Sequence, residues 1–170
     1  MENEILFSEK QKFNQWWLWL ILLGVNCFMI IGILQQVFFE KQFGDKPMNN
    51  YELLLTAGVT LSITLLFFNF RLDTQIKKDG IYVRFFPLQL NFKHYTWENI
   101  SKSYVRKYSP IIDYGGWGLR IGLFGKGRAM NVSGNKGLQL EFTDKKKLLI
   151  GTNKAEELTD ALNKIGKYNQ

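Results

Sequence analysis

One cysteine and one histidine are all that the 170 residues hold of the two residue types most used to staple or metallate small domains. Cys27 alone cannot close an intrachain disulfide, so a disulfide-stapled secreted domain is excluded. Its expected role is an apolar filler. His94 has no cysteine or carboxylate cluster near it, so no zinc pattern forms. On a strand with Leu90 and Phe92 it would share their face, as a hydrogen-bonded core or core-edge residue. Internal repeats and low-complexity tracts are absent as well. Gly115-Gly116-Trp117-Gly118 lacks the Gly-x-x-x-x-Gly-Lys-Ser/Thr spacing and precedes an expected strand, so the helix dipole and amide cradle of a nucleotide loop are missing. The glycines are expected to let the backbone turn while Trp117 packs. Ser101 and Ser103 have no base and orienting group placed by sequence, and nothing in the spacing demands that Glu98 meet Asp113. No catalytic residue, cofactor site or metal site is expected, and the chain reads as non-enzymatic.

Charge is absent from the whole of Trp16–Phe39, and a second apolar run follows at Leu53–Phe70. At about 1.5 Å per residue each run approaches or exceeds the length needed to cross a hydrocarbon layer of about 30 Å. A buried helical pair in a soluble domain is the competing reading, but so much apolar chain exceeds what a domain of this size encloses in two helices. Helices over about 16–38 and 53–70 are expected, with residues 1–70 forming an N-terminal arm and transmembrane hairpin. Trp16, Trp17 and Trp19 cluster at the head of the first run, as interfacial aromatic anchors do. The start of the chain is acidic where the positive region of a cleaved signal belongs, so the first run is expected to be retained. Asn26 needs a partner inside this environment. It either faces the second helix, toward Thr60, Ser62 or Thr64, or bonds its own backbone. Thr56, Thr60 and Thr64 recur every fourth position and make a face suited to close helix packing.

The charge is lopsided. Residues 1–70 carry four Lys/Arg against six Asp/Glu, and residues 71–170 carry eighteen against nine. A basic domain tethered to a membrane points first to the anionic cytoplasmic leaflet, ahead of nucleic acid, which is not expected as a partner. Lys10 and Lys12 before the hairpin and Arg71, Lys77, Lys78 and Arg84 after it outweigh Lys41 and Lys46 in its loop, so both termini are expected on the cytoplasmic side. Arg71, Lys77, Lys78, Arg84, Arg106, Lys107, Arg120 and Arg128 are the candidate lipid or partner patch. Lys145-Lys146-Lys147 reads as a solvated or edge-protecting hairpin tip.

Beyond Phe70 the pattern changes to short alternating runs. Leu72, Thr74 and Ile76 lead into Asp79-Gly80, a favoured hairpin turn, and Ile81, Val83 and Phe85 continue on the return strand. Pro87 ends it or sets it at an edge. Further strands are expected at 90–97, 104–108, 119–123, 129–132, 138–142 and 147–151, with a turn at Trp97–Ile100 and a loop over Pro110–Gly118. Asn153 and Glu156 suggest a capping box for a terminal helix with Leu158, Ala161, Leu162 and Ile165 on one face and Gly166 at its end. Such strands suit a small barrel or a bent sandwich.

This order, with Asp79-Gly80, Trp97-Glu98-Asn99-Ile100, Gly115-Gly116-Trp117-Gly118-Leu119-Arg120 and the closing Leu148-Leu149-Ile150-Gly151-Thr152, resembles the bacterial membrane-associated PH-like domain proteins. The resemblance implies an α+β membrane protein: a transmembrane hairpin, then a small antiparallel PH-like β-barrel over 71–170 capped by the C-terminal helix. It implies a bacterial inner-membrane location and no assigned enzymatic activity. The expected function is a membrane-anchored interaction or scaffold module, partnered by another membrane protein or by itself. The alternatives are an anionic-lipid binder or sensor and an accessory subunit of a larger membrane transporter or enzyme.

Overall fold

The computed structural model describes residues 4–122 and 125–169. The chain forms two compact units, one of Asn14–Asn69 and one that combines Met1–Phe13 with Phe70–Gln170. In order the elements are β1 (Ile5–Lys12), α1 (Trp16–Ile33) prolonged by a π-helical turn at Leu34–Phe38, α2 (Asn50–Asn69), β2 (Arg71–Lys77), β3 (Gly80–Phe86), β4 (Lys93–Thr96), a 3₁₀ turn at Trp97–Asn99, β5 (Ile100–Lys107), α3 (Pro110–Tyr114), β6 (Gly118–Ile121), β7 (Arg128–Asn131), β8 (Lys136–Phe142), β9 (Lys147–Thr152) and α4 (Ala155–Lys164).

Asn14–Asn69 is an antiparallel helical hairpin. Both helices are long and apolar enough to cross a membrane, Trp16–Phe38 over 23 residues and Asn50–Asn69 over 20. Their outward side chains, Leu20, Phe28, Leu54 and Leu65 among them, are exposed and not enclosed by protein, unlike those of a soluble core helix. The Asn26 amide uses both of its hydrogens, donating to Leu22 O and to Thr64 Oγ1 at 2.7 Å each. The Thr64 hydroxyl in turn donates to Thr60 O at 2.9 Å, so the interhelical link is continuous with the α2 backbone. Thr60 and Thr56 spend their protons within α2, on Ala57 O and Glu52 O. Trp19 meets Phe68 edge-on at 6.2 Å, near the open end of the hairpin. At the closed end Phe43 packs on Phe28 at 5.0 Å and covers Gly32, where a Cβ would come within 2.8 Å of its ring. α2 starts earlier than its apolar run because Asn49 and Glu52 make a reciprocal capping box: Glu52 N–H donates to Asn49 Oδ1 at 2.8 Å and Asn49 N–H to Glu52 Oε2 at 3.2 Å.

The second unit corrects the barrel expectation. Its strands form two separate sheets, β1-β2-β3-β4 and β5-β8-β9-β7-β6, and neither closes on itself. One pair, β7 with β9, is parallel. The PH-like barrel is therefore not this fold. Alternation specifies strands but not partners: β4 is only four residues long, and the 3₁₀ turn then sends the chain into the other sheet. Leu72, Ile76, Ile81, Val83 and Phe85 from the first sheet share one core with Met130, Leu138, Leu140, Leu148 and Ile150 from the second and with Val132 just past β7. Leu158, Ala161 and Leu162 of α4 complete it.

The N-terminal arm, grouped with the hairpin on sequence, is a strand of this unit. β1 runs antiparallel to β2, ending in the pair Lys12↔Arg71. Its inward positions are Phe7, Glu9 and Gln11. Two are polar, which hides the strand from a search for apolar alternation. They reach across to the β9 end: Glu9 accepts from Thr152 Oγ1 at 2.6 Å and from Asn153 N–H at 2.8 Å, and Gln11 Nε2 donates to Gly151 O at 2.6 Å. The Asn153 side chain donates to Ser133 Oγ and does not cap α4, so the expected capping box is not formed. Gly166, at φ 63°, ends the helix in a left-handed turn. Pro110–Tyr114, expected as a loop, is the short helix α3: Ser109 Oγ accepts from Ile112 N–H, Pro110 stands where no N–H is needed, and Gly115 closes it at φ 69°. Leu123, the last residue of an expected strand, lies outside the described residues.

Candidate functional site

Of the eight candidate cations, Arg71, Lys77, Lys78 and Arg84 belong to the β2–β3 hairpin of the first sheet and Arg106, Lys107, Arg120 and Arg128 to the second sheet. On the outer face of the first sheet Arg84 grips the buried Asp73 through Nη2 at 2.6 Å and Nε at 3.0 Å, and Arg71 joins from 3.2 Å. Asp73 is 2% exposed, so these guanidiniums neutralise a carboxylate that water does not reach. Lys78 pairs with Glu4 at 2.6 Å, and Lys77 lies over the Tyr82 ring at 4.5 Å. In the second sheet Arg106 bonds Gln139 Oε1 at 3.0 Å and the Tyr114 hydroxyl at 3.1 Å, with Asp113 at 3.9 Å. Lys126 donates to Asp113, holding that carboxyl below the usual aspartate range. Arg120 Nε donates to Trp117 O at 2.9 Å. Sequence reasoning could count these charges but could not see the acidic groups that topology sets opposite them.

The remaining positive charge converges elsewhere. An open cleft of about 770 Å³ lies between the β4 side, the chain from β6 to β7 and the β8–β9 hairpin. Tyr95 and Phe142, ring centroids 5.3 Å apart, give it an apolar wall, and Arg128, Lys145, Lys146 and Lys147 line it. Burial pushes the Tyr95 hydroxyl above its ordinary range. Lys146 pairs with Asp144 at 2.6 Å and Lys147 faces Glu141 at 3.6 Å. Among the described residues no carboxylate stands at ion-pair distance from Arg128 or Lys145. Gly127 lets the two chain segments touch: at φ 82°, a Cβ there would collide with Lys147 O. The Lys145–Lys147 tip thus faces a cleft, and only the parallel β7–β9 pairing puts Arg128 beside it.

The other singled-out residues have structural partners. His94 is not in the core. It stacks on Tyr82 with centroids 4.2 Å apart, and its Nε2 lies 3.5 Å from Asp79 Oδ2. The correction follows from register, because His94 opposes Tyr82 on the outward face. Ser101 donates to Glu141 O at 2.8 Å and Ser103 to Lys167 O, so both hydroxyls are tied to backbone. Gly115, Gly116 and Gly118 all take positive φ, and Gly118 N–H donates to Asn131 Oδ1 at 2.9 Å. Asn131 Nδ2 passes the link to the Tyr108 hydroxyl at 3.1 Å. Among the described residues no three His, Cys, Asp or Glu side chains gather as a metal site would need.

No protein-family model, no curated protein and no solved structure matches this chain.

Proposed function

We propose that the chain is a membrane-anchored interaction module, without a catalytic role, that presents its cationic cleft to an anionic segment of a second membrane protein. The observation that carries the reading is the insertion of the apolar hairpin between two paired strands: the chain leaves the β-domain after Lys12 and re-enters it at Arg71, the residue paired with Lys12. A domain tethered at two adjacent points, at the same end of one sheet, is held close to whatever surface the hairpin enters, which raises its effective concentration for partners there. The surplus of Lys and Arg flanking the hairpin supports a reading with both termini on the cytoplasmic side. Arg128 and Lys145 supply charge to the cleft, while Tyr95 and Phe142 supply apolar contact.

The test is site-specific photocrosslinking from Ile121, at the cleft rim, in native membranes. One dominant protein adduct, reduced several-fold by Arg128→Gln with Lys145→Gln, is the expected result. Adducts to acidic phospholipid with the same charge dependence would replace this reading by a lipid-binding one. Adduct formation indifferent to both substitutions, from a protein that extracts as a bare monomer, would refute it.

A further inference from the structure

The register of the first sheet puts one loop beside the roots of the hairpin. Lys12 pairs with Arg71, and Arg71 pairs with Phe86, so β1, β2 and β3 all end together at the edge where the hairpin is attached. From that edge the chain makes the β3–β4 loop, residues 87–92, with Leu88 62% and Leu90 69% exposed. Two large aliphatic side chains face water at this tip, as Ile111 and Ile112 also do in α3, but only this pair lies on the loop that leaves the hairpin-bearing edge. The loop is also braced. Gln89 N–H donates to Phe85 O at 2.8 Å, the Gln89 side chain accepts from Phe85 N–H at 3.3 Å, and Arg84 Nη1 donates to Leu90 O at 3.1 Å. Folding Gln89 inward leaves the two leucines facing out.

Their surroundings match one kind of medium. Arg71 stacks over Phe86 at 4.6 Å and Arg84 over Phe92 at 4.5 Å. Phe13, Phe70 and Phe85 form a chain of rings at the same edge, with centroids 6.1 and 5.6 Å apart. Two guanidiniums against the single Asp73 carboxylate leave a positive surplus. Aromatic rings, arginines and protruding leucines together are the chemistry of a lipid headgroup boundary.

We propose that the β3–β4 loop is an interfacial anchor, with Leu88 and Leu90 seated at the headgroup–acyl boundary of the bilayer that the hairpin enters. The proposal rests on the reading of the hairpin as membrane-spanning. It makes a third point of attachment, fixing the tilt of the first sheet against the lipid surface.

The experiment uses the full chain with Cys27→Ala, carrying one cysteine at Leu88, Leu90, Lys78 or Leu23. Each is labelled with an environment-sensitive fluorophore and reconstituted in vesicles of phosphatidylcholine and phosphatidylglycerol. Lys78 lies at the opposite end of the same sheet, about 20 Å away at about 3.3 Å per residue. Leu23 reports on the hairpin. Quenching of the Leu88 and Leu90 labels by shallow spin-labelled lipid, at least about three-fold stronger than at Lys78, is expected. Leu23 quenched with Leu88 and Leu90 as unquenched as Lys78 would overturn the loop anchor and leave the hairpin reading standing. Leu23 unquenched would overturn both. A blue-shifted loop signal without lipid quenching would overturn the anchor in favour of contact with a second copy.

Discussion

Replacing Glu9 by alanine tests whether the N-terminal strand belongs to the β-domain. Glu9 is 5% exposed and accepts from Thr152 Oγ1 and Asn153 N–H, across the junction of β9 and α4. Hydrogen bonds to a charged group contribute about 1.5–3 kcal/mol each. Alanine removes both and leaves the buried Thr152 hydroxyl without its acceptor, but it also relieves the desolvation of a buried carboxylate. A net loss of about 2–4 kcal/mol follows, and at about 1.4 kcal/mol per decade it speeds globally limited amide exchange by about 30- to 1000-fold. The assay is hydrogen exchange of β8 and β9 amides in the full chain in detergent. Glu9→Gln retains one acceptor and falls between alanine and the parent. Ser8→Ala, on the exposed face of the same strand, stays within about 0.5 kcal/mol. Exchange in Glu9→Ala within about two-fold of the parent would refute the reasoning, since β1 would then be an arm lying on the domain and not a strand within it.

Within the hairpin, Asn26→Leu and Thr64→Val each remove the Asn26–Thr64 hydrogen bond and are expected to weaken helix association by about 0.6–1.7 kcal/mol, read as a lower SDS midpoint for loss of energy transfer between the helices. The double variant should lose no more than the worse single one; additive losses would show that the two side chains act apart. In the β-domain, the Asp113 carboxyl is held low by the Lys126 ammonium and then by the Ser109 N–H, against the opposing effect of burial. A folded value below the unfolded one makes its contribution complete above the ordinary aspartate value of about 4 and lost as pH falls through the lowered value. Denaturant midpoints of the parent should therefore fall more steeply below about pH 4 than those of Asp113→Asn. Parallel slopes would remove Lys126 as the cause.

The two apolar runs were legible because uninterrupted apolarity is a property that composition alone reports. The Leu72–Phe85 hairpin was legible for a related reason, since local alternation and Asp79-Gly80 act over a few residues. What failed was non-local. β1 has Glu9 and Gln11 at inward positions, and their apolar-site occupancy makes sense only beside Thr152 and Gly151, some 140 positions away. The barrel expectation failed at the same level, because nothing local tells Arg128–Asn131 to lie parallel to β9. Two helix starts are marked locally: Asn49 followed by Glu52 before an apolar run for α2, and Ser109-Pro110 for α3. Of the candidate site, the number of cations could be read, but the pairing of Arg71 and Arg84 with Asp73, of Lys78 with Glu4 and of Arg106 with Asp113 could not.

Inserting a hairpin between two paired strands also has a consequence for assembly. β1 is made first, yet its partner β2 lies beyond the whole of Asn14–Asn69. Were that segment a flexible loop, closing it would cost about 3.6 kcal/mol from its length alone. Packed helices return the chain to its starting point, as the Trp19–Phe68 contact at one end and the Gln36–Asn50 hydrogen bond at the other require. If the hairpin forms first, it closes the loop before β1 and β2 meet, and sheet pairing inherits the proximity. Loosening the helices at Asn26 should then increase exchange in β1 without any change to the sheet itself, whereas loosening β1 at Glu9 should leave the helix pair intact. That asymmetry separates a hairpin that organises the domain from one that merely interrupts it.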